Sequence, residues 1–153
     1  KDIGAKCHTG GEIGRARVRG GGKKAAAYGS KARYVQGNAR ARPFEDKCFD
    51  SVSSNGSLHE WENPIAVFNE VNRVLCTGGR YCITDLRRDV SFAKKAMVYA
   101  TTKPKEMRPG FISSLNAAYT RPEIMELLRC SALKDAAVKN DFFGLLISGE
   151  KRA

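Results

Sequence analysis

Residues 55–59 (NGSLH) contain the side chains best suited to ligand binding and acid–base chemistry. Gly56 permits close approach of the backbone to a ligand. His59 is a candidate base that could remove a proton from a substrate hydroxyl or amine, because a neutral imidazole can take up a proton near physiological pH. A single His near a Trp is also often only a packed side chain, and that alternative stays open.

A metal site is not expected in this chain. Cys7 and His8 are adjacent, but no second pair follows at ligand spacing. The number of cysteines is odd and no C-x-x-C pair occurs, which argues against a disulfide framework or a zinc site and favours buried, reduced thiols. The five cysteines are Cys7, Cys48, Cys76, Cys82 and Cys130.

The elements that position residues 55–59 follow from turn and periodicity signals. Asn63-Pro64 supplies a helix cap and a first-turn proline, so the apolar spacing that follows predicts a helix over 63–76. Thr120 with Glu123 forms a capping-box signal for a helix over 121–131. Strands are predicted at 33–37, 49–54, 80–85, 136–139 and 144–148; residues 91–102 are a weaker helix candidate and 103–119 an irregular connection.

This alternation predicts an α/β fold with a Rossmann-like, mostly parallel sheet and helices on both faces. The short connection at 142–144 predicts a hairpin, which makes the C-terminal strand antiparallel. Ligands bind at the carboxyl ends of the strands in such sheets. Residues 55–59 follow one of those ends.

The positive charge is concentrated at the N-terminal end. The chain has 153 residues and a net charge of +11; residues 1–42 carry 11 basic and 2 acidic side chains. We call residues 1–33 the basic head. Clustered cations can bind nucleic acid, but the head matches no nucleic-acid module, so binding that is at most non-specific is expected. No long apolar run or signal-peptide pattern occurs, which favours a cytoplasmic protein with no membrane partner.

Three segments together resemble the class I S-adenosylmethionine (SAM)-dependent methyltransferases of the small-molecule, quinone-biosynthesis type. They are residues 37–46 (GNARARPFED), 49–61 (FDSVSSNGSLHEW) and 70–81 (EVNRVLCTGGRY). The resemblance implies one methyltransferase-like domain over 1–153, with SAM as cofactor and a small-molecule methyl acceptor. Its parts are the basic head, the best-matching core at 34–89, a lid or substrate insert at 90–119, and a C-terminal helix with closing strands at 120–153.

The resemblance also implies roles for individual residues. Residues near the acceptor are Leu58, Trp61 and Arg87, within the wider stretches 58–61, 85–88 and 103–119. The expected cofactor contacts are Asp2, Gly4, Asn38, Ala39, Asn55, Gly56 and Ser57.

The basic head departs from the family pattern. Residues 1–5 (KDIGA) look like the first strand and Gly-rich turn, but residues 6–9 (KCHT) separate them from Gly10-Gly11. Only 35 residues separate Asp2 from Asn38, and no candidate acid for the ribose hydroxyls is found between them. The alternative function is therefore a non-catalytic, methyltransferase-like module whose basic head binds nucleic acid or another acidic partner. A nucleotide-dependent oxidoreductase is disfavoured, because no G-x-G-x-x-G follows a strand.

Asn38 gives a first test. The family usually has Asp at this position, and Asn keeps a hydrogen-bond acceptor for the adenine amino group without the charge. We predict that Asn38→Asp binds S-adenosylhomocysteine as tightly as the native chain or more tightly, because a charged acceptor makes the stronger hydrogen bond. Calorimetric titration measures this. Equal affinities for Asn38→Asp and Asn38→Ala would leave Asn38 only a role in closing a turn.

Overall fold

The computed structural model describes residues 9–12, 33–36 and 44–152. The chain divides into two compact units, residues 1–44 and 45–153. In the first unit, strand β1 (Thr9–Glu12) pairs in parallel with β2 (Arg33–Gln36). The position of β2 was predicted, and β1 was not, because its Gly-rich sequence has low strand propensity and only pairing with β2 reveals it.

The second unit contains a four-stranded sheet in the order β3-β4-β6-β5 among the described residues. Strand β3 pairs in parallel with β4, whereas β6 is antiparallel to both β4 and β5. The predicted α/β class, the hairpin and the antiparallel C-terminal strand are thereby confirmed. The strands are β3 (Phe49–Asn55), β4 (Leu75–Leu86), β5 (Ala137–Asn140) and β6 (Gly144–Glu150).

Four α-helices complete the described part of this unit: α1 (Pro64–Val74), α2 (Phe92–Thr101), α3 (Arg108–Ala117) and α4 (Arg121–Arg129). The expectation of an irregular 103–119 connection was wrong, because α3 forms there. Its proline, Pro109, lies in the first helical turn, where a missing N–H costs nothing. No helix among the described residues has the length and apolar character needed to cross a membrane.

Side-chain hydrogen bonds cap both ends of helix α1. The Asn63 side chain accepts a hydrogen bond from the Ala66 backbone N–H at 3.0 Å, as expected of an N-cap. At the other end, Lys151 Nζ donates to the carbonyls of Asn72 and Leu75, at 2.7 and 2.9 Å. The helix stops at Val74, two residues earlier than predicted, because Leu75 already pairs with Phe49 in the sheet.

The predicted capping box of α4 is present. The Glu123 carboxylate accepts hydrogen bonds from the Thr120 backbone N–H at 2.8 Å and from the Thr120 hydroxyl at 2.9 Å. The backbone hydrogen bond from Thr120 lowers the pKa of Glu123. Arg88 also binds this carboxylate, which connects the segment after β4 to α4.

Buried side chains from the sheet, α1 and α4 form the hydrophobic core. Burial alternates along β4 from residue 79 to residue 85: Gly79, Tyr81, Ile83 and Asp85 are buried, and the residues between them are more exposed. The four described cysteines are free, as expected, but Cys48, Cys82 and Cys130 are exposed, so the expectation of buried thiols was wrong. The core consists of Leu58, Phe68, Val71, Leu75, Tyr81, Ile83, Ile124, Leu128, Leu133, Leu145 and Ile147.

The two phenylalanines at 68 and 92 test this core. Phe68 is fully buried, whereas 86% of Phe92 is exposed. Phe68→Ala should lower the free energy of unfolding by about 3–5 kcal/mol, since it removes transfer energy and leaves a cavity. Phe92→Ala should change it by less than about 0.5 kcal/mol. Urea denaturation compares the two variants, and similar losses would contradict this description of the core.

Candidate functional site

A crevice of about 530 Å³ lies where β3, β4 and β5 end and β6 begins, and we call it the strand-end crevice. Its position agrees with the expectation that ligands bind at the carboxyl ends of strands. A second crevice of about 520 Å³ is lined by the interior of β3, β4 and β6. The strand-end crevice is lined by Asn55, Gly56, Thr84, Asp85, Leu86, Lys139, Asn140, Asp141, Phe143, Gly144, Leu145 and Leu146.

Asn55 and Gly56 are held in place by Thr84 on the neighbouring strand. Thr84 Oγ1 donates to Asn55 Oδ1 at 2.6 Å, and the Gly56 backbone N–H donates to the Thr84 carbonyl at 2.8 Å. Gly56 has a φ of 64°, a left-handed conformation that glycine adopts without strain. Because Thr84 occupies Oδ1, the exposed Asn55 side chain offers its amide N–H groups to a ligand.

His59 lies in a 3-10 turn, Leu58–Glu60, directly after β3 and is bound to Asp85 at the end of β4. His59 Nδ1 is 2.8 Å from Asp85 Oδ1 and 3.0 Å from Oδ2, and the His59 backbone N–H donates to Oδ2 at 2.7 Å. Asp85 lines the strand-end crevice and His59 does not. The pair therefore lies at the border of the crevice.

The Asp85 carboxylate is almost completely buried, with 1% of its side chain exposed, and 8% of the His59 side chain is exposed. The alternation along β4 turns Asp85 to the same face as Tyr81 and Ile83. A carboxylate in that position costs free energy unless hydrogen bonds compensate it. Asp85 receives them from His59 and from the Leu86 backbone N–H, which donates to Oδ1 at 2.6 Å.

The three residues predicted to lie near the acceptor occupy different surroundings. Leu58 is 1% exposed and belongs to the core, and Trp61 packs edge-on against Phe68 with ring centroids 5.8 Å apart. The Arg87 backbone N–H donates to the Phe143 carbonyl at 3.2 Å. Its Nε lies 3.0 Å from Asp89 Oδ1, an ion pair without hydrogen-bond geometry. A role in acceptor binding stays a prediction for all three residues.

Four of the seven residues predicted to contact the cofactor lie outside the described residues: Asp2, Gly4, Asn38 and Ala39. Ser57 is described, and its hydroxyl donates to the Asn55 carbonyl at a long 3.4 Å. Within the described part of the chain, no group of three or more His, Cys, Asp or Glu side chains is arranged to hold a metal ion.

Sequence reasoning missed the partnership between His59 and Asp85 and the role of Thr84. Asp85 was expected near the acceptor, but nothing in the sequence connects it to a residue 26 positions earlier. A signal was present in the alternation of β4, which places an acid where Tyr81 and Ile83 predict an apolar side chain. A buried acid at a strand end implies a nearby donor.

Comparison with known proteins gives one family model, described as "Methyltransferase domain", which matches residues 9–83. Among curated proteins, the uncharacterized protein YafE of Escherichia coli is 45% identical over 51 residues, 33% of this chain and 25% of YafE. The ubiquinone/menaquinone biosynthesis C-methyltransferase UbiE of Xylella fastidiosa is 47% identical over 47 residues, 31% of this chain and 19% of UbiE. These alignments thus span a quarter or less of the relatives' length.

A solved structure resembles the fold of this chain. The arsenic(III) S-adenosylmethionine methyltransferase of Chlamydomonas reinhardtii superposes with a TM-score of 0.74 at 19% identity, covering 98% of this chain and 57% of that protein. At this identity the likeness establishes the fold alone.

Gly56 and Gly110 form a matched pair for testing the turn at the crevice. A Cβ atom at either position meets no atom within 4 Å, but only Gly56 has a positive φ. Gly56→Ala should therefore destabilise the fold by about 1–2 kcal/mol through backbone strain. Gly110→Ala, within α3, should be neutral or stabilise it by up to about 1 kcal/mol. Thermal and urea unfolding measure both, and an unchanged Gly56→Ala variant would contradict the left-handed turn.

Proposed function

We propose that the chain, which belongs to the class I SAM-dependent methyltransferases, transfers the methyl group of SAM to a small-molecule acceptor in the strand-end crevice. SAM is the cofactor of this enzyme family. The observation that carries this proposal is the crevice itself. It brings the end of β3, with Asn55 and Gly56, against the end of β4, with Thr84 and Asp85. A cofactor and an acceptor can be aligned there by two neighbouring strands.

The chemistry of SAM agrees with these groups. SAM carries an amino acid end, a sulfonium and a nucleoside, so its site needs hydrogen-bond donors, close backbone approach and a polar contact for adenine. The Asn55 amide N–H groups can donate to the carboxylate of the amino acid end, and Gly56 leaves room for the ligand. We assign the remaining cofactor contacts to Asp2, Gly4, Asn38, Ala39 and Ser57, as the sequence resemblance implies.

The transfer step requires alignment more than activation of the donor. The sulfonium is already reactive, so the protein must hold the acceptor atom, the methyl carbon and the sulfur in line. Within the proposal, Leu58 and Trp61 lie near the acceptor on either side of His59 in the sequence. Arg87 contacts the acceptor from the end of β4. His59 is the candidate catalytic base.

The name of one curated relative supports the acceptor class. UbiE of Xylella fastidiosa is named as a C-methyltransferase of ubiquinone/menaquinone biosynthesis, which fits a small-molecule acceptor. A cytoplasmic location and non-specific contact of the basic head with nucleic acid also remain predictions from the sequence.

Titration with S-adenosylhomocysteine tests the proposal without knowledge of the acceptor. Calorimetry should give a dissociation constant in the micromolar range or weaker. Ligand at one hundred times that constant should stabilise the fold by about 2.7 kcal/mol, which appears as a rise in Tm. The chain has one tryptophan, Trp61, so a change in its fluorescence would report binding near residues 55–59.

Two asparagines provide a matched comparison for this titration. Asn55→Ala should weaken binding about tenfold, since it removes donors that the proposal assigns to the cofactor. Asn116→Ala, an exposed asparagine in α3, should bind as the native chain does. If folded protein shows no heat and no Tm shift at millimolar ligand, the methyltransferase proposal fails and the non-catalytic module with a binding head is favoured.

A further inference from the structure

We infer that Asp85 is the positioning residue of His59, and that the pair removes the proton of a neutral hydroxyl on the acceptor, which is methylated at oxygen. The inference rests on the proposed methyl transfer. It adds a residue with no assigned role in the reaction and it names the chemical class of the acceptor.

The hydrogen bonds of Asp85 fix the tautomer of His59. Asp85 is buried and already accepts two backbone N–H groups, from His59 and Leu86, so its carboxylate acts only as an acceptor. Nδ1 lies at 2.8 and 3.0 Å from the two carboxylate oxygens and must therefore carry the hydrogen. Nε2 then keeps its lone pair in the neutral ring, which is the state that a base requires.

Nε2 is available for a substrate. Among the described residues it makes no hydrogen bond, and it is not one of the buried side-chain atoms that lack a partner. It therefore retains contact with solvent although most of the ring is covered. A ring held by its other nitrogen, with one accessible nitrogen beside a crevice, is the usual arrangement of an oriented base.

The step balances without an additional reactant. An oxygen lone pair of the acceptor forms the new C–O bond to the methyl carbon, the C–S bond breaks, and its electron pair stays on sulfur as S-adenosylhomocysteine forms. The hydroxyl proton moves to His59 Nε2, and the resulting imidazolium is stabilised by the Asp85 carboxylate. Release of the proton to water restores the neutral ring.

A neutral hydroxyl is the acceptor type that needs such a base. Phenols and alcohols are almost fully protonated near neutral pH, so their oxygen is a weak nucleophile. Thiols ionise more readily, and uncharged amines already carry a free electron pair. An oriented imidazole thus favours hydroxyl acceptors over both.

Asp85 also has a structural effect, because it connects the turn after β3 to the end of β4. Loss of stability on substitution therefore cannot identify its role. The tautomer of His59, and the dependence of the Asp85 effect on His59, separate the two roles.

The first measurement is the tautomer of His59 in the native chain. The chain has two histidines, so His8→Gln leaves His59 as the only imidazole signal in 15N NMR. We expect neutral His59 to be protonated at Nδ1 and bare at Nε2. In Asp85→Asn only one oxygen remains to accept from Nδ1–H and from the two backbone N–H groups, so the preference for the Nδ1-protonated tautomer should weaken and the population protonated at Nε2 should rise. A native ring protonated at Nε2, or one with equal populations, overturns the inference without any variant of Asp85.

The second measurement is methyl transfer from SAM to a panel of phenols, aliphatic alcohols, thiols and amines, followed as S-adenosylhomocysteine. Phenols or alcohols should be the substrates, with the methyl group on oxygen. Asp85→Asn should lower kcat about 10² to 10⁴-fold and leave the affinity for S-adenosylhomocysteine unchanged. The double variant with His59→Gln should be no slower than His59→Gln alone, because Asp85 acts through His59.

Asp135→Asn is the control for loss of one carboxylate, because Asp135 is exposed and precedes β5; its kcat should stay within about twofold of native. Absence of S-adenosylhomocysteine binding would defeat the proposed function, while the tautomer still tests the role of Asp85. With that ligand bound, turnover of thiols or amines only, methylation at carbon, or no turnover of any member overturns the acceptor class. Additive losses in the double variant overturn the positioning role.

Discussion

The crevice end of the described structure depends on the hydrogen bonds that the buried carboxylate of Asp85 accepts. Asp85 lies on the buried face of β4 with Tyr81 and Ile83, where a carboxylate costs free energy unless hydrogen bonds compensate it. The donors come from the residue that follows it and from His59 in a different element. The carboxylate therefore fixes the 3-10 turn that carries His59 against the end of β4, beside the residues that Thr84 holds at the crevice.

The direction of the strands explains why polar groups collect at this edge. Parallel pairing of β3 and β4 brings their carboxyl ends together, so Asn55 lies beside Thr84. Antiparallel pairing of β6 brings its first residues to the same edge, with Gly144 opposite Leu86. Polar backbone and side-chain groups at strand ends can therefore serve a ligand without disrupting the core below them.

Local signals in the sequence were sufficient for most elements and insufficient for contacts between them. Asn63-Pro64 and the Thr120/Glu123 pair predict α1 and α4 because caps involve neighbours in the chain. Strand β1 and the early start of β4 at Leu75 depend on pairing with distant strands, which local propensity does not contain. The site divides in the same way: residues 55–59 could be identified by type, whereas the bond between His59 and Asp85 arises only when β3 and β4 pair.

The hairpin between β5 and β6 affects the position of Asp85 through Gly144. A Cβ atom at this position would collide with the backbone carbonyl of Asp85. Any larger residue at position 144 would displace the end of β4, which carries the Asp85 carboxylate. The effect would reach His59 only through Asp85. Sequence change at the β5–β6 connection therefore shifts the carboxylate that holds His59, and a residue usually regarded as part of a turn limits which hairpins this edge of the sheet can accept.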